Sequence, residues 1–146
     1  MIRWAFIPLI LVIDRASKIW ALTRLEQSQS LPVWPGVFHL TLVKNTGSAF
    51  GLWKDFPFIP VAVTLLALCV IFIHLVRARP SKNFTGWALV LGGALGNLYD
   101  RLVFGYVVDF LDFRVWPVFN IADACICAGI FLILRNSSGK HAPDSV

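Results

Sequence analysis

The sequence predicts a membrane all-α fold: four transmembrane helices with a small extracytoplasmic β-cradle in the first outer loop. Three observations carry that expectation. Of 146 residues, 58% are hydrophobic and only 14% are charged, against roughly 45–50% and about 25% in soluble domains. The mean hydropathy is +0.73, which excludes a disordered chain and leaves too few charges to coat a solvent-facing enzyme. The apolar residues gather into four stretches, about 4–22, 57–76, 84–104 and 117–134, each near the ~20 residues that a membrane crossing requires. The length allows one domain, residues 1–146.

The first stretch opens like a secretory leader, with Arg3 ahead of an apolar run from Trp4 to Ile13. Asp14, Arg15 and Lys18 then stand where a leader would show small residues before cleavage, so the stretch reads as a retained helix carrying charge. The second has no charge between Phe56-Pro57 and Arg77, with His74 near its end as an interfacial residue. The third carries Gly92, Gly93 and Gly96, which let another helix approach closely, and then Asn97, Asp100 and Arg101. The fourth follows Pro117 and carries Asn120 and Asp123 near its beginning.

Four spans place the N-terminus, the loop 77–83 and the C-terminal tail on one side. That side holds Arg3, Arg77, Arg79, Lys82, Arg135 and Lys140 against one acid, Asp144. The positive-inside rule then puts both termini in the cytoplasm and the loops 23–56 and 105–116 outside. In the first outer loop Phe38, Leu40 and Leu42 alternate with His39, Thr41 and Val43, the period of a half-buried strand, ahead of an Asn45-Thr46-Gly47 turn signal. Trp34 and Trp53 are expected to anchor this sheet at the interface.

A net charge of +5 raises the question of nucleic acid, but the basic residues lie at the ends of apolar runs and form no binding patch, so no nucleic-acid partner is expected. Cys69, Cys125 and Cys127 all lie in apolar stretches. Cys125 and Cys127 point about 200° apart on a helix, so neither metal nor disulfide is expected and the three read as small core hydrophobes.

Ionisable groups inside a span cost about 2.5–3.5 kcal/mol each on the insertion scale and mark function by default. Asp14 and Lys18 are spaced to pair on one helix face, and Asn97, Asp100 and Arg101 share another. These groups suit packing and mutual satisfaction. Asp109 and Asp123 read differently, because a short connection and a matching depth bring the two carboxylates to the outer interface. Two carboxylates on one site cannot both ionise easily, so the pair keeps a proton and can work on one water as acid and base. Spacing leaves open whether Asp100 or Asp109 partners Asp123, with depth favouring Asp109. No Gly-x-Ser-x-Gly elbow or His-Glu-x-x-His helix is present, and His39, His74 and His141 lie in separate segments.

Four blocks resemble those of the bacterial lipoprotein signal peptidases, or signal peptidase II. They are Asp14-x-x-x-Lys18, the run Lys44 to Gly51, the run Gly92 to Arg101 leading into Val107-Val-Asp-Phe110, and Phe119-Asn-Ile-Ala-Asp123. The resemblance implies an aspartic endopeptidase of the bacterial inner membrane that cleaves prolipoproteins before a diacylglyceryl-modified cysteine, with no metal or organic cofactor. It implies Asp109 and Asp123 as the catalytic pair, and Asp14, Lys18, Asn45, Gly47, Asn97, Asp100, Arg101 and Asn120 as substrate-binding or supporting residues. Its partners would be prolipoprotein substrates and membrane lipids, with a monomer as the expected state. The chain departs from the family pattern at Arg15, commonly glutamine, at Ser48, often alanine, and at Ala124, frequently serine. Arg15 adds a charge beside the first span's polar face.

Two other classes fit part of the pattern. A proton-coupled transporter would use the intramembrane Asp and Arg residues as a relay, but spans two and four are apolar in their cytoplasmic halves. An assembly factor would use the glycine face of span three, and gives no reason for two acids at one outer depth.

Overall fold

The computed structural model describes residues 2–27, 29–46, 58–77 and 83–138. Gly47, Ser48, Trp53, Arg79, Lys82, Lys140, His141 and Asp144 lie outside the described residues. After a 3-10 turn at Ile2–Ala5, the chain forms α1 (Phe6–Arg24), β1 (Ser30–Trp34), β2 (Phe38–Asn45), α2 (Phe58–Arg77), α3 (Phe84–Phe104), β3 (Val107–Asp112) and α4 (Ile121–Ser138). Four helices and a small sheet are therefore as expected. The boundary of the fourth helix is corrected: it starts at Ile121 rather than after Pro117.

Helix α3 is the centre of the bundle and packs against α4, α1 and α2. Its small residues make this possible. A side chain at Gly93 would collide with the Ala122 carbonyl oxygen of α4, and a Cβ at Gly96 would lie 2.7 Å from Asp14 Oδ2 of α1. On its other side Val90, Leu91, Ala94 and Leu98 pack with Leu68, Ile71 and Leu75 of α2. The outward faces stay apolar, with Val12 and Ile13 of α1, Leu66 and Val70 of α2, and Phe131 and Leu134 of α4 exposed. An apolar surface of this extent is the mark of a chain solvated by lipid. Among the described residues only α2 is apolar enough to qualify as a span by composition alone. The charges of α1 turn inward instead, with Asp14 and Lys18 buried.

The sheet is antiparallel in the order β1-β2-β3. The strand expected at 38–43 is β2, but the sheet is not confined to the first outer loop. Its third strand comes from the segment after α3, pairing Val43 with Asp109 and Asn45 with Val107. Leu42 of β2 and Val108 and Phe110 of β3 pack with Ala21 and Leu25 at the end of α1, which ties the sheet to the bundle. Gly105, at φ +76°, caps α3 in the left-handed region and turns the chain into β3.

The cysteines correct one expectation. Cys69 and Cys127 are exposed on helix surfaces and only Cys125 is partly buried, so they are not core residues. All three are free thiols. Replacing all three by alanine should leave turnover largely intact. Abolished cleavage by a folded triple variant would demand thiol chemistry.

Candidate active site

The polar residues of the bundle form one continuous network rooted at Lys18. Its ammonium is fully buried, and lies 2.8 Å from Asp14 Oδ2, 3.0 Å from Asp100 Oδ2 and 3.0 Å from Asn97 Oδ1. An ammonium has three donors and no acceptor, so these three oxygens satisfy it. The choice also fixes the Asn97 amide. With Oδ1 turned to Lys18, Nδ2 must face away, and it donates to Asp123 Oδ1 at 2.7 Å.

Asn120 repeats this logic at the start of α4. Its Oδ1 accepts the Asp123 backbone N–H at 3.0 Å, while its own backbone N–H reaches Asp123 Oδ2 at 3.3 Å. This reciprocal arrangement is a capping box, which is why α4 begins at Ile121. With Oδ1 committed, the Asn120 Nδ2 donates to Asp109 Oδ1 at 2.7 Å and to Asn97 Oδ1 at 3.0 Å. Asn45, at the end of β2, donates to Asp109 Oδ2 at 2.9 Å. Each carboxylate is thus held by amides through both oxygens.

Asp109, Asp123, Asn45, Asn97 and Arg101 line a cavity of about 190 Å³, closed on one side by Trp116, Pro117, Val118 and Phe119. Burial pushes the Asp109 carboxyl up to about 7, and the nearby Asp123 charge adds to the rise, against hydrogen bonds from Asn45 and Asn120 and the charge of Lys18. Asp109 therefore holds a proton readily beside a second carboxylate, the condition for acid–base work on one water.

The open choice between Asp100 and Asp109 meets a clear geometric difference. Asp100 is buried between two cations, Lys18 and Arg15, and its Oδ2 accepts the Val108 backbone N–H at 3.3 Å. It is not among the residues that line the cavity. Asp14 likewise serves packing, accepting the Ala122 N–H at 2.9 Å and so pinning the first turn of α4. Arg114, the basic residue of the intervening loop, pairs with Asp112 at 3.1 Å instead of with either cavity carboxylate.

One polar group on the sheet had no signal in the sequence. Thr41 Oγ1 donates to Asp112 Oδ2 at 2.8 Å and contacts Ser30 Oγ, which lies 2.8 Å from His39 Nδ1. Burial works against the Asp112 charge, but hydrogen bonds from Arg114 and Thr41 outweigh it and hold this carboxyl below its ordinary range. Among the described residues no group of three His, Cys, Asp or Glu side chains could hold a metal.

Two amide-held carboxylates on one cavity, beneath a small sheet and inside a lipid-facing bundle, give the layout of a membrane hydrolase using carboxylate chemistry. Comparison with known proteins agrees. The family model described as signal peptidase (SPase) II matches residues 6–138. The lipoprotein signal peptidase of Pelotomaculum thermopropionicum is 43% identical over 147 residues, covering 97% of each chain. That of Moorella thermoacetica is 48% identical over 128 residues, covering 86% of this chain and 85% of its own. A bacterial membrane enzyme solved by the in meso method at 2.3 Å superposes with a TM-score of 0.85 at 25% identity, over 99% of this chain and 94% of that one. The chain belongs to the signal peptidase II family, and is a membrane aspartic endopeptidase of lipoprotein processing.

Proposed function

We propose that this chain removes signal peptides from bacterial prolipoproteins by cleaving before the diacylglyceryl-modified cysteine, with Asp109 and Asp123 as the catalytic pair. The observation that carries this reading is that these two carboxylates line one cavity, each with its oxygens already aimed by amides. One carboxylate takes a proton from water as its oxygen attacks the carbonyl carbon preceding the cysteine, and the other gives its proton to the carbonyl oxygen. Collapse of the resulting diol breaks the C–N bond. The cysteine nitrogen takes the proton that the first carboxylate removed from water and leaves as an amine, the diol returns a proton to the second carboxylate, and the signal peptide ends in a carboxyl group.

Supporting roles follow from the same geometry. Asn97 and Asn120 orient the pair, Lys18 orients Asn97, and Asn45 brings the sheet to bear on Asp109. Arg101 lines the cavity beside the carboxylates, and Asp14 and Asp100 hold α1, α4 and β3 in register. Gly47 joins this set by resemblance to the family alone, and lies outside the described residues. An apolar cavity of about 470 Å³ between α1 and α3, walled by Leu11, Leu95, Leu98 and Leu102, suits acyl chains of the lipidated substrate or of membrane lipid. The test is cleavage of a lipidated prolipoprotein alongside its unlipidated form. Equal turnover of the two would remove the lipid from the reading.

All four helices are proposed to cross the inner membrane as one domain, acting as a monomer, with both termini cytoplasmic and the cavity at the outer face. The inward-turned charges of α1 and the basic residues of the inner segments support this. A cysteine placed at position 82 in a cysteine-free background should resist an impermeant reagent applied from outside. Its labelling there would invert the topology.

The raised Asp109 value gives a pH dependence with a definite sign. Turnover needs one proton on the pair, so kcat/KM should fall as pH rises above about 7, approaching tenfold per unit well beyond it. Stability follows the same direction. The native state binds a proton that an unfolded carboxyl, at 3.8, does not, so this contribution is complete below pH 3.8 and lost as pH climbs through about 7. Asp109→Asn should flatten the stability loss between pH 3.8 and about 7 in a thermal-stability series. An Asp109→Asn variant that retains the full wild-type loss would place the proton elsewhere.

A further inference from the structure

We infer that Arg15 is a positioning residue of the reaction, acting on Asp109 through the turn that joins α3 to β3. Three contacts carry this. The guanidinium Nη1 donates to Asp100 Oδ1 at 3.1 Å. Its carbon lies 5.3 Å from the Tyr99 ring centroid and 4.8 Å from that of Phe104, the last residue of α3. Asp100 in turn accepts, through Oδ2, the backbone N–H of Val108, the residue before Asp109.

The division of labour on Asp100 explains why a second cation is needed. Lys18 reaches only Oδ2, the oxygen that also receives the Val108 N–H. Oδ1 faces Arg15. Without that donor the carboxylate is held at Oδ2 alone, by Lys18 and the Val108 N–H, and the acceptor at the start of β3 is less firmly set. The aromatic contacts act on the same end of α3. A planar guanidinium stacks on Phe104 where an ammonium would not, and Phe104 directly precedes Gly105, whose left-handed backbone sets the direction of the strand. Arg15 thus grips the last turn of α3 at Asp100 and at Phe104, just ahead of the turn that delivers Asp109 to the cavity. It lines the apolar cavity between α1 and α3 but not the cavity of the two carboxylates, so it touches neither member of the pair. A misplacement of about 1 Å at a reacting group costs up to about a hundredfold in rate, and a partial loosening of the turn should cost less.

This inference rests on Asp109 being a catalytic group, which Asp109→Asn tests separately. The experiment measures kcat and KM on a lipidated prolipoprotein peptide, together with thermal stability in detergent, for Arg15→Met, Arg15→Gln and Phe104→Leu. Arg15→Met keeps an unbranched stem and loses every donor. It should lower kcat about tenfold, a loss that saturating substrate does not recover, whatever change in KM follows from its place on the acyl cavity. Arg15→Gln restores an amide donor toward Asp100 and should recover most of that loss. Phe104→Leu removes the ring while leaving all ion pairs, and should lower kcat by severalfold at unchanged KM, so the inference stays testable if Arg15→Met does not fold. Wild-type kcat in the folded Arg15→Met variant, or a loss confined to KM, would overturn it. So would a Gln variant as slow as the Met variant. If Asp109→Asn itself keeps turnover, the failure lies with the catalytic pair and not with Arg15.

Discussion

Asp109→Asn and Asp123→Asn should each lose nearly all turnover, on the order of 10²–10⁴-fold for the acid–base function alone, while lipidated substrate still binds. Asparagine keeps the shape of the carboxylate but only one acceptor oxygen, so one of the two amide hydrogen bonds to that side chain is kept and the other donor meets an N–H. What disappears is the ability to exchange a proton. The double variant should be little worse than either single one, because groups acting on one water form a unit and their effects do not add. In the active enzyme the two apparent pKa values belong to the pair, and the value near 7 at Asp109 describes the last proton that the pair gives up. Asp100→Asn is the informative control. It retains an acceptor for the Val108 N–H but weakens its ties to Lys18 and Arg15, so its loss should be partial and accompanied by reduced stability. Single-turnover cleavage with binding measured separately decides the matter. Substantial cleavage by Asp109→Asn with none by Asp100→Asn would reverse the roles.

What the sequence made legible followed from periodicity and from local spacing. The four helices were visible because apolar runs of that length have few alternatives. The Asp14–Lys18 pair was visible because i,i+4 spacing on a helix puts both groups on one face. The strand β2 showed its alternation. By contrast, Val107–Asp112 forms a strand buried on both faces, so Val-Val-Asp-Phe-Leu-Asp shows no alternation and reads only as part of the outer loop 105–116. β1 is short, exposed throughout and contains Pro32, as an edge strand can, and it carries little pattern of its own. The start of α4 was misjudged because apolar character resumes at Pro117, whereas the helix is set by the Asn120–Asp123 capping box and by Phe119, which bridges to Leu111.

The site itself divides in the same way. Asp109 and Asp123 come from segments close in sequence, so their meeting could be reasoned from the chain. Asn45 reaches Asp109 across 64 residues and Arg15 reaches Asp100 across 85. No local rule connects such pairs. Only family resemblance pointed to Asn45, and nothing but the folded geometry points to Arg15 as more than an extra charge.

Lys18→Met should be the most damaging single change to the fold, at about 3–5 kcal/mol, the usual cost of removing one partner from a buried ion pair. The methionine fills the space of the lysine stem and leaves Asp14 and Asp100 without their shared ammonium. Both carboxylates are nearly inaccessible to water, at 2% and 0% exposure, so neither can recover its hydration. Asp100 keeps Arg15 and the Val108 N–H, and Asp14 keeps the Ala122 N–H. Asp14 is therefore the more stranded charge, facing Gly96 where no side chain could shield it. The loss also reaches the chemistry. With only Asn120 Nδ2 left to donate to Asn97 Oδ1, the constraint that turns the Asn97 Nδ2 toward Asp123 is weakened. Activity should thus fall further than the unfolded fraction explains. The double variant Lys18→Met/Asp14→Asn separates the two effects. Neutralising Asp14 removes the stranded charge while leaving an oxygen for the Ala122 N–H, so thermal stability should largely return. Turnover should not fully return, because Asn97 keeps only one of its two donors. A Lys18→Met protein as stable as wild type would mean that the ion cluster contributes nothing to the fold. Full activity in the stabilised double variant would detach Lys18 from the orientation of the catalytic pair.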